Sequence, residues 1–422
     1  METILNFVLR SIMRSALRFE DVPDAISADL ESGIARDAEL LYVHIPFCES
    51  LCPYCSFHRY VYDAAGASAY FDALTHELEL YKQLGCSFTA LYVGGGTPTI
   101  CPDRLLDIIH CARSLYPLRE ISVETNPNHL QEALLVRLRD AGVRRLSVGV
   151  QSFNDDMLRA LGRYEKYGSS AAIQKQLRAT HGIFETCNID LLFNLPLQTK
   201  AHVLHDLSVI EELLPDQVTF YPLMTSPSVA ATLNRLLGQI SYRTEKDFYF
   251  TILERMRRQY TGSTAWCFSR HATMIDEYIV THGRYVGAGS GAFGYHGNGI
   301  AINTFLLDQY CQRVRSHRLP ITRFKRFSRW ETLAYIFLMK LFGLSLTAAE
   351  LSQIRARYGR LALVPELFIL RLMGAVCGTK EGFTLTDRGK YYWVMAMREF
   401  FIAVDTLRDV CRPRHAEKTL PH

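Results

Sequence analysis

LLYVHIPFCESLCPYCSF, residues 40–57, is the stretch on which the reading of the whole chain turns. Its first six residues, LLYVHI, read as a β-strand. The loop directly after them carries Cys48, Cys52 and Cys55, separated by three and then two residues. Three thiolates can bind three irons of a cubane, which leaves the fourth iron open to a small-molecule ligand. Where that ligand is the amino and carboxylate group of S-adenosylmethionine (SAM), an electron from the cluster cleaves the sulfonium to a 5'-deoxyadenosyl radical. The competing reading is a zinc site, which needs a fourth ligand, for which His44 and His58 are the nearby candidates.

Outward from this stretch, short β-rich runs alternate with helical patterns. The runs lie at 40–45, 89–95, 120–125, 145–150, 187–193 and 217–223. Between them sit stretches such as 131–140, with Leu134, Leu135 and Leu138 on one face and Gly142 placed to end the helix. This (β/α)6 pattern predicts an α/β fold built on a partial parallel barrel, open on one side because six units do not close an eight-stranded barrel. Sites in such folds lie at the carboxyl ends of the strands. The unusual residues fall there.

After the second strand, Gly94, Gly95 and Gly96 remove side chains that would keep a ligand from the backbone, and their N–H groups are candidates for holding the amino-acid part of SAM. A tight loop is the plainer alternative. Glu124, Gln151 and Asp190 end three further strands with polar groups, where an unpaired buried carboxylate would cost several kcal/mol. Each is expected to face a ligand, a cation or solvent, although Glu124, with Asn126 and Asn128 close behind, also suits a helix cap.

The alternation fades after Ser226, and from Thr322 the chain reads as helical, with a turn-and-strand stretch, EGFTLTDRGKYYW. A C-terminal helical, winged-helix-like domain is predicted. The expected divisions are an N-terminal helical segment (1–37), the barrel (38–270), a connecting substrate-site segment (271–321) and the C-terminal domain (322–422). Lys+Arg 47 against Asp+Glu 43, a net charge of +4, leaves no basic footprint for nucleic acid. Arg10, Arg14 and Arg18 interrupt the N-terminal apolar residues, so no export signal is read, and no run of 18 apolar residues suggests a membrane span. A cytoplasmic protein is expected. Eleven cysteines in such a chain read as thiols or metal ligands rather than disulfides, and all but the clustered three and Cys267 are scattered.

Through YVHIPFCESLCPYCSF, YVGGGTPT, SVETNP, RRLSVGVQSFNDDMLRALGR and NIDLLFNLPLQT, residues 41–223 resemble the radical SAM family of oxygen-independent coproporphyrinogen III oxidase and its relatives. The resemblance implies a [4Fe-4S] cluster on Cys48, Cys52 and Cys55. It places Tyr42, Tyr54, Gly95 with its neighbours Gly96 and Thr97, and Glu124 around one SAM molecule. It assigns Gln151, Arg163 and Asp190 to a second. The later stretches STAWCFSRHATMIDEYI and YVGAGSGAFGYHGNGIAINTF look more like class C radical SAM methyltransferases, in particular the group that methylates menaquinone at C8. In that class a methylene radical from the second SAM adds to an sp2 carbon.

The expected partners are then menaquinone and a low-potential electron donor; the N-terminal segment reads first as a helix packed on the barrel, with an interfacial helix at the inner face of the membrane as the alternative. Trp266, Phe268, Tyr285, Phe293 and Tyr295 are candidate surface for a flat ring or, alternatively, core, and Cys267 and His271 are candidate acid–base groups. The glycine-rich run at 287–294 fits a substrate wall or a tight turn. Tetrapyrrole chemistry, as a porphyrinogen or heme-degrading enzyme, and a heme-binding chaperone are the alternatives.

Overall fold

The computed structural model describes residues 9–10, 19–22, 38–271, 280, 282–296 and 299–411. Most of the expected N-terminal helical segment, with its membrane contact, lies outside the described residues, as do residues 272–279 of the connecting segment.

Six parallel strands form where the alternation predicts them. They are β1 Leu40–Ile45, β2 Ala90–Gly95, β3 Glu120–Thr125, β4 Arg145–Gln151, β5 Thr186–Phe193 and β6 Gln217–Pro222, hydrogen-bonded in sequence order. Their crossovers hold α1 Ala64–Gln83, α2 Pro102–Leu115, α3 Glu132–Asp140, α4 Asp155–Ala160, α5 Tyr164–Tyr167, α6 Ser170–Arg178 and α7 Lys200–Leu213. The period of two along each strand sorts the side chains. Val43, Val93, Val123, Val148, Ile189 and Val218 lie in the apolar core.

The alternate positions carry Ser122, Arg145, Ser147, Asn188, Gln217 and Thr219, all buried. Arg145 of β4 reaches both Ser122 of β3 and Gln217 of β6, and Thr219 of β6 donates to Asn188 of β5. A side chain of one strand meets a partner two strands away because the sheet curls around this polar column. The column satisfies its own donors and acceptors, as burial of polar groups demands.

Beyond β6 follow α8 Pro227–Leu237, α9 Tyr242–Met256, β7 Cys267–Ser269, β8 Tyr285–Ala288, β9 Phe293–His296, β10 Gly299–Asn303, α10 Leu307–Arg315 and β11 Ile321–Arg326. The sheet therefore continues where the sequence pattern faded. β7 adds antiparallel to β6, and β8 adds parallel to the outer edge of β1, followed by antiparallel β9, β10 and β11. Short, glycine-interrupted runs such as YVGA and FGYH give a weak strand signal, and pairing with neighbours decides their state. Pairing with β10 holds β11 in the sheet across position 322.

The C-terminal region contains α11 Arg329–Phe342, β12 Ser345–Thr347, α12 Ala348–Tyr358, α13 Val364–Leu372, β13 Val376–Thr379, β14 Gly382–Leu385 and α14 Asp387–Cys411. Capping boxes at Ser328/Glu331 and Thr347/Glu350 start α11 and α12. The three short strands make a separate antiparallel sheet among the helices. Trp266, just before β7, packs on Phe342 of α11 at 4.7 Å and Phe401 of α14 at 6.1 Å. On the other side, Tyr295 of β9 meets Tyr335 of α11 at 4.4 Å. These two helices thus bridge the edges that the partial barrel leaves apart. Among the described residues no helix is long and apolar enough to cross a membrane.

Candidate active site

The loop between β1 and α1 brings Cys48, Cys52 and Cys55 to the carboxyl end of the barrel. Arg59 holds its shape by donating from Nη2 to the carbonyls of Cys52 and Cys55, both at 2.8 Å. The Cys52 sulfur lies 3.5 Å from Lys166 Nζ and 3.9 Å from Arg163 Nη1. Burial pushes the Cys52 thiol up, but Arg163, Lys166 and Arg59 outweigh it and hold the thiol below its ordinary range. Burial and the neighbouring Cys55 push Cys48 up to about 11, against a lowering contact from Thr97 Oγ1 at 3.7 Å.

Arg59 Nε and Nη1 and Arg163 Nε are buried with no acceptor of their own. Such a cationic, donor-rich cradle fits an anionic thiolate cluster and its ligand. Among the described residues no three His, Cys, Asp or Glu side chains group around one metal ion, so the zinc reading finds no ligand set. A cubane requires only that each thiol reach its own iron. His44, one candidate fourth ligand, is already engaged. Its Nε2 faces the His58 carbonyl at 2.9 Å and so carries the proton, which leaves Nδ1 to accept from Tyr42 Oη at 2.9 Å.

Glu124 ends β3 facing the glycine run. It accepts from Tyr92 Oη at 2.9 Å and from Gly95 N at 3.1 Å. A Cβ on Gly94 would stand 2.7 Å from the Glu124 carboxylate, and one on Gly95, at φ +120°, would strike the His44 ring at 2.8 Å. The N–H groups of Gly96 and Thr97 donate to Ile45 and Phe47 carbonyls at 2.8 and 2.7 Å. The expectation that these N–H groups hold a ligand is thus corrected. They tie the glycine loop to the cluster loop, and the glycines are needed for that close approach.

The second predicted set also assembles. Arg163 is 4% exposed, so it is no surface residue. Its Nη1 donates to Tyr54 Oη at 2.9 Å, its Nη2 to Asn126 Oδ1 at 3.1 Å and to the Gly149 carbonyl, and its plane lies over the Tyr167 ring at 4.3 Å. Gln151 follows a register irregularity in β4 and takes φ +72°, a region costly for a residue with a side chain, and its Oε1 is buried without a donor. Asp206 of α7 pins the next residues by accepting from Ser152 Oγ at 3.1 Å and Phe153 N at 2.7 Å, and burial pushes this carboxyl up to about 7. Asp190, expected to end a strand, instead lies within β5, where it accepts from Ser147 Oγ at 3.0 Å and Asn188 Nδ2 at 2.7 Å, both of the buried polar column.

The later candidates separate from this site. Cys267 is fully buried and pairs with Thr219 near the start of β6, toward the floor of the barrel rather than its mouth. His271 is exposed two residues past the end of β7, on the same floor side. Neither can serve as an acid–base group at the mouth, because antiparallel β7 runs back along β6 and carries both away. Trp266, Phe268, Tyr285 and Tyr295 are core. Phe293 alone of the five is partly exposed. The glycine-rich run forms a tight turn, not a substrate wall. Gly289 N donates to Glu77 Oε2 at 2.7 Å, and Cβ atoms on Gly289 and Gly291 would meet the His44 carbonyl at 2.5 Å and the His58 ring at 2.4 Å.

Sequence reasoning missed Arg59, Lys166, Tyr92 and Asn126. A cation four residues beyond the last cluster cysteine was a readable signal for Arg59. The other three have none, since only the curl of the sheet brings them in.

Residues 42–205 match the model of the radical SAM superfamily. The heme chaperone HemW of Bacillus subtilis (strain 168) is 31% identical over 298 residues, spanning 66% of this chain and 76% of that protein. The oxygen-independent coproporphyrinogen III oxidase of Escherichia coli (strain K12) is 29% identical over 340 residues, 71% of this chain and 73% of its own. The solved structure of coproporphyrinogen III oxidase (HemN) from Escherichia coli, a radical SAM enzyme, superposes with a TM-score of 0.74 at 26% identity, covering 91% of this chain and 95% of the other. These relatives overturn the expectation of a menaquinone C8-methyltransferase with menaquinone as partner. Of the stretches that carried it, the described residues 263–271 lie at the barrel floor, and residues 287–294 link two strands of the sheet through a packed turn. Neither the relatives nor the site geometry supports the membrane contact or specifies an electron donor.

Proposed function

We infer function from a premise: this chain belongs to the radical SAM superfamily and, within it, to the family of the heme chaperone HemW and the oxygen-independent coproporphyrinogen III oxidases. On it we propose an enzyme that acts on a porphyrinogen-class tetrapyrrole by SAM-derived radical chemistry. The observation that carries this is the cradle around Cys52, where Arg59 and Arg163 keep buried donors without acceptors. When bound on Cys48, Cys52 and Cys55, a [4Fe-4S] cluster supplies the electron that cleaves SAM.

The chain's own residues position the reactants. Arg59 fixes the loop, and Glu124, held by Tyr92 and Gly95, presents its carboxylate to the first SAM. Tyr42, its hydroxyl oriented by His44, and Tyr54, oriented by Arg163, border the same SAM, with Gly95, Gly96 and Thr97 shaping its floor. Gln151 Oε1, Arg163 Nε and Asp190 are assigned to a second SAM at the same mouth. One mouth holding both molecules would set them in reacting contact. We further propose functional units of 1–37, 38–270, 271–326 and 327–422, the last boundary placed after Arg326 rather than at 321/322 so that it does not cut β11.

Anaerobically reconstituted protein given SAM, dithionite and coproporphyrinogen III is expected to consume the porphyrinogen in step with 5'-deoxyadenosine formation. Cys52→Ala should abolish both together with the cluster's visible absorbance. A second reading, a heme chaperone, is favoured by the 31% identity to the Bacillus subtilis protein. Stoichiometric heme binding with no porphyrinogen turnover would select it. Failure to bind or turn over any tetrapyrrole would sink both.

A further inference from the structure

The last helix reaches the barrel mouth at one point. α14 is seated by the buried pair of Arg398 with Glu245 of α9, by Phe401 on Trp266, and by Asp409, which accepts from Ser228 N at 3.1 Å and Ser228 Oγ at 2.6 Å. Two residues before Ser228, Ser226 N donates to Ser56 Oγ of the cluster loop at 2.9 Å. This chain of contacts fixes the end of α14 against the loop that holds the cysteines.

Arg408 projects there. Its guanidinium carbon lies 5.1 Å from the ring centroid of Phe57, two residues after Cys55, and 5.2 Å from that of Phe293 at the start of β9. Nη1 donates to Asp405 at 2.6 Å, and Nε is buried with no acceptor. Its charge is felt by the Tyr42 and Tyr285 phenols, both pushed up chiefly by burial and drawn down by Arg408. A side chain 12% exposed with one idle buried donor carries a cost that an incoming acceptor would offset. Phe57, 51% exposed, puts an apolar ring beside it.

We propose that Arg408 anchors a carboxylate of the substrate at the barrel mouth, with Phe57 as the apolar surface beside which the macrocycle lies. The inference rests on the tetrapyrrole reading above. The free Nε edge of a guanidinium suits a carboxylate, whereas an ammonium offers only a point charge.

The test is fluorescence titration of the reconstituted full chain with coproporphyrin III and with its tetramethyl ester, which keeps the ring and removes the charges. The wild type is expected to prefer the free acid by about tenfold or more, the value of one charge-assisted hydrogen bond. Arg408→Gln should bring that preference down to about twofold or less, and Arg408→Lys should retain part of it. A preference that persists in Arg408→Gln overturns the anchor and leaves the tetrapyrrole reading standing. Loss of ester binding in both variants also overturns it, since Arg408 would then hold the helix rather than the ligand. No porphyrin binding by the wild type overturns the tetrapyrrole reading and the anchor with it.

Discussion

The floor and the mouth of the barrel each bury an arginine, and the two are partnered differently. On the floor, fully buried Arg145 donates from Nε and Nη2 to Gln217 Oε1 at 3.1 and 2.9 Å and from Nη1 to Ser122 at 3.0 Å. Gln217 in turn donates to Ser269 at 2.9 Å. These partners all sit on strands of the same sheet. At the mouth, Arg163 bonds to the cluster loop, to Asn126 after β3 and to the Gly149 carbonyl, and keeps Nε without an acceptor. A network closed within the sheet holds the fold, and one that spans loops with a donor to spare awaits a ligand.

Breaking each arginine should give opposite outcomes. Arg163→Ala is expected to lower SAM cleavage on the order of a hundredfold, as the loss of charge-assisted contacts implies, with Arg163→Lys failing to restore it. Arg145→Ala should instead lower the urea midpoint by the equivalent of about 3 kcal/mol, by stranding Gln217 and Ser122, while SAM cleavage per folded molecule holds. Equal activity losses in the two variants would erase the distinction between floor and mouth.

Glu77 of α1 sharpens the comparison, because it is a buried carboxyl near the mouth that is held by several donors of the fold itself. It accepts from Gly289 N, Asn303 Nδ2 at 3.1 Å and Tyr310 Oη at 2.6 Å, and burial pushes it from 4.5 up to about 7. A carboxyl that binds its proton more tightly folded than unfolded contributes stability fully below pH about 4.5, lost as pH climbs through about 7. Thermal melts should show this component, on the order of 3 kcal/mol, fall between those pH values, and Glu77→Gln should flatten it. An unchanged slope would remove Glu77 as its source.

The smallest effect tests whether the mouth stores strain. Gln151→Gly should raise stability by about 1 kcal/mol by relieving the left-handed backbone, while lowering SAM cleavage through the lost amide. Stability gained with activity intact would mean that the Gln151 amide serves no ligand.

The sequence by itself determined the six parallel strands, the place of the cysteine loop and the polar strand ends at Glu124 and Gln151. Those features are local: a period of two, a turn and a ligand spacing act within a few residues. Tertiary structure alone decided that Cys267 lies at the floor and that the 287–294 glycines pack beneath the cluster loop. It also decided that β8 to β11 extend the sheet and that Arg408 arrives at the mouth. Each of these depends on a partner far away in sequence, such as Glu245 with Arg398 or Tyr295 with Tyr335. A buried contact between distant residues leaves no periodic trace along the chain, because only burial and pairing in the folded state select it.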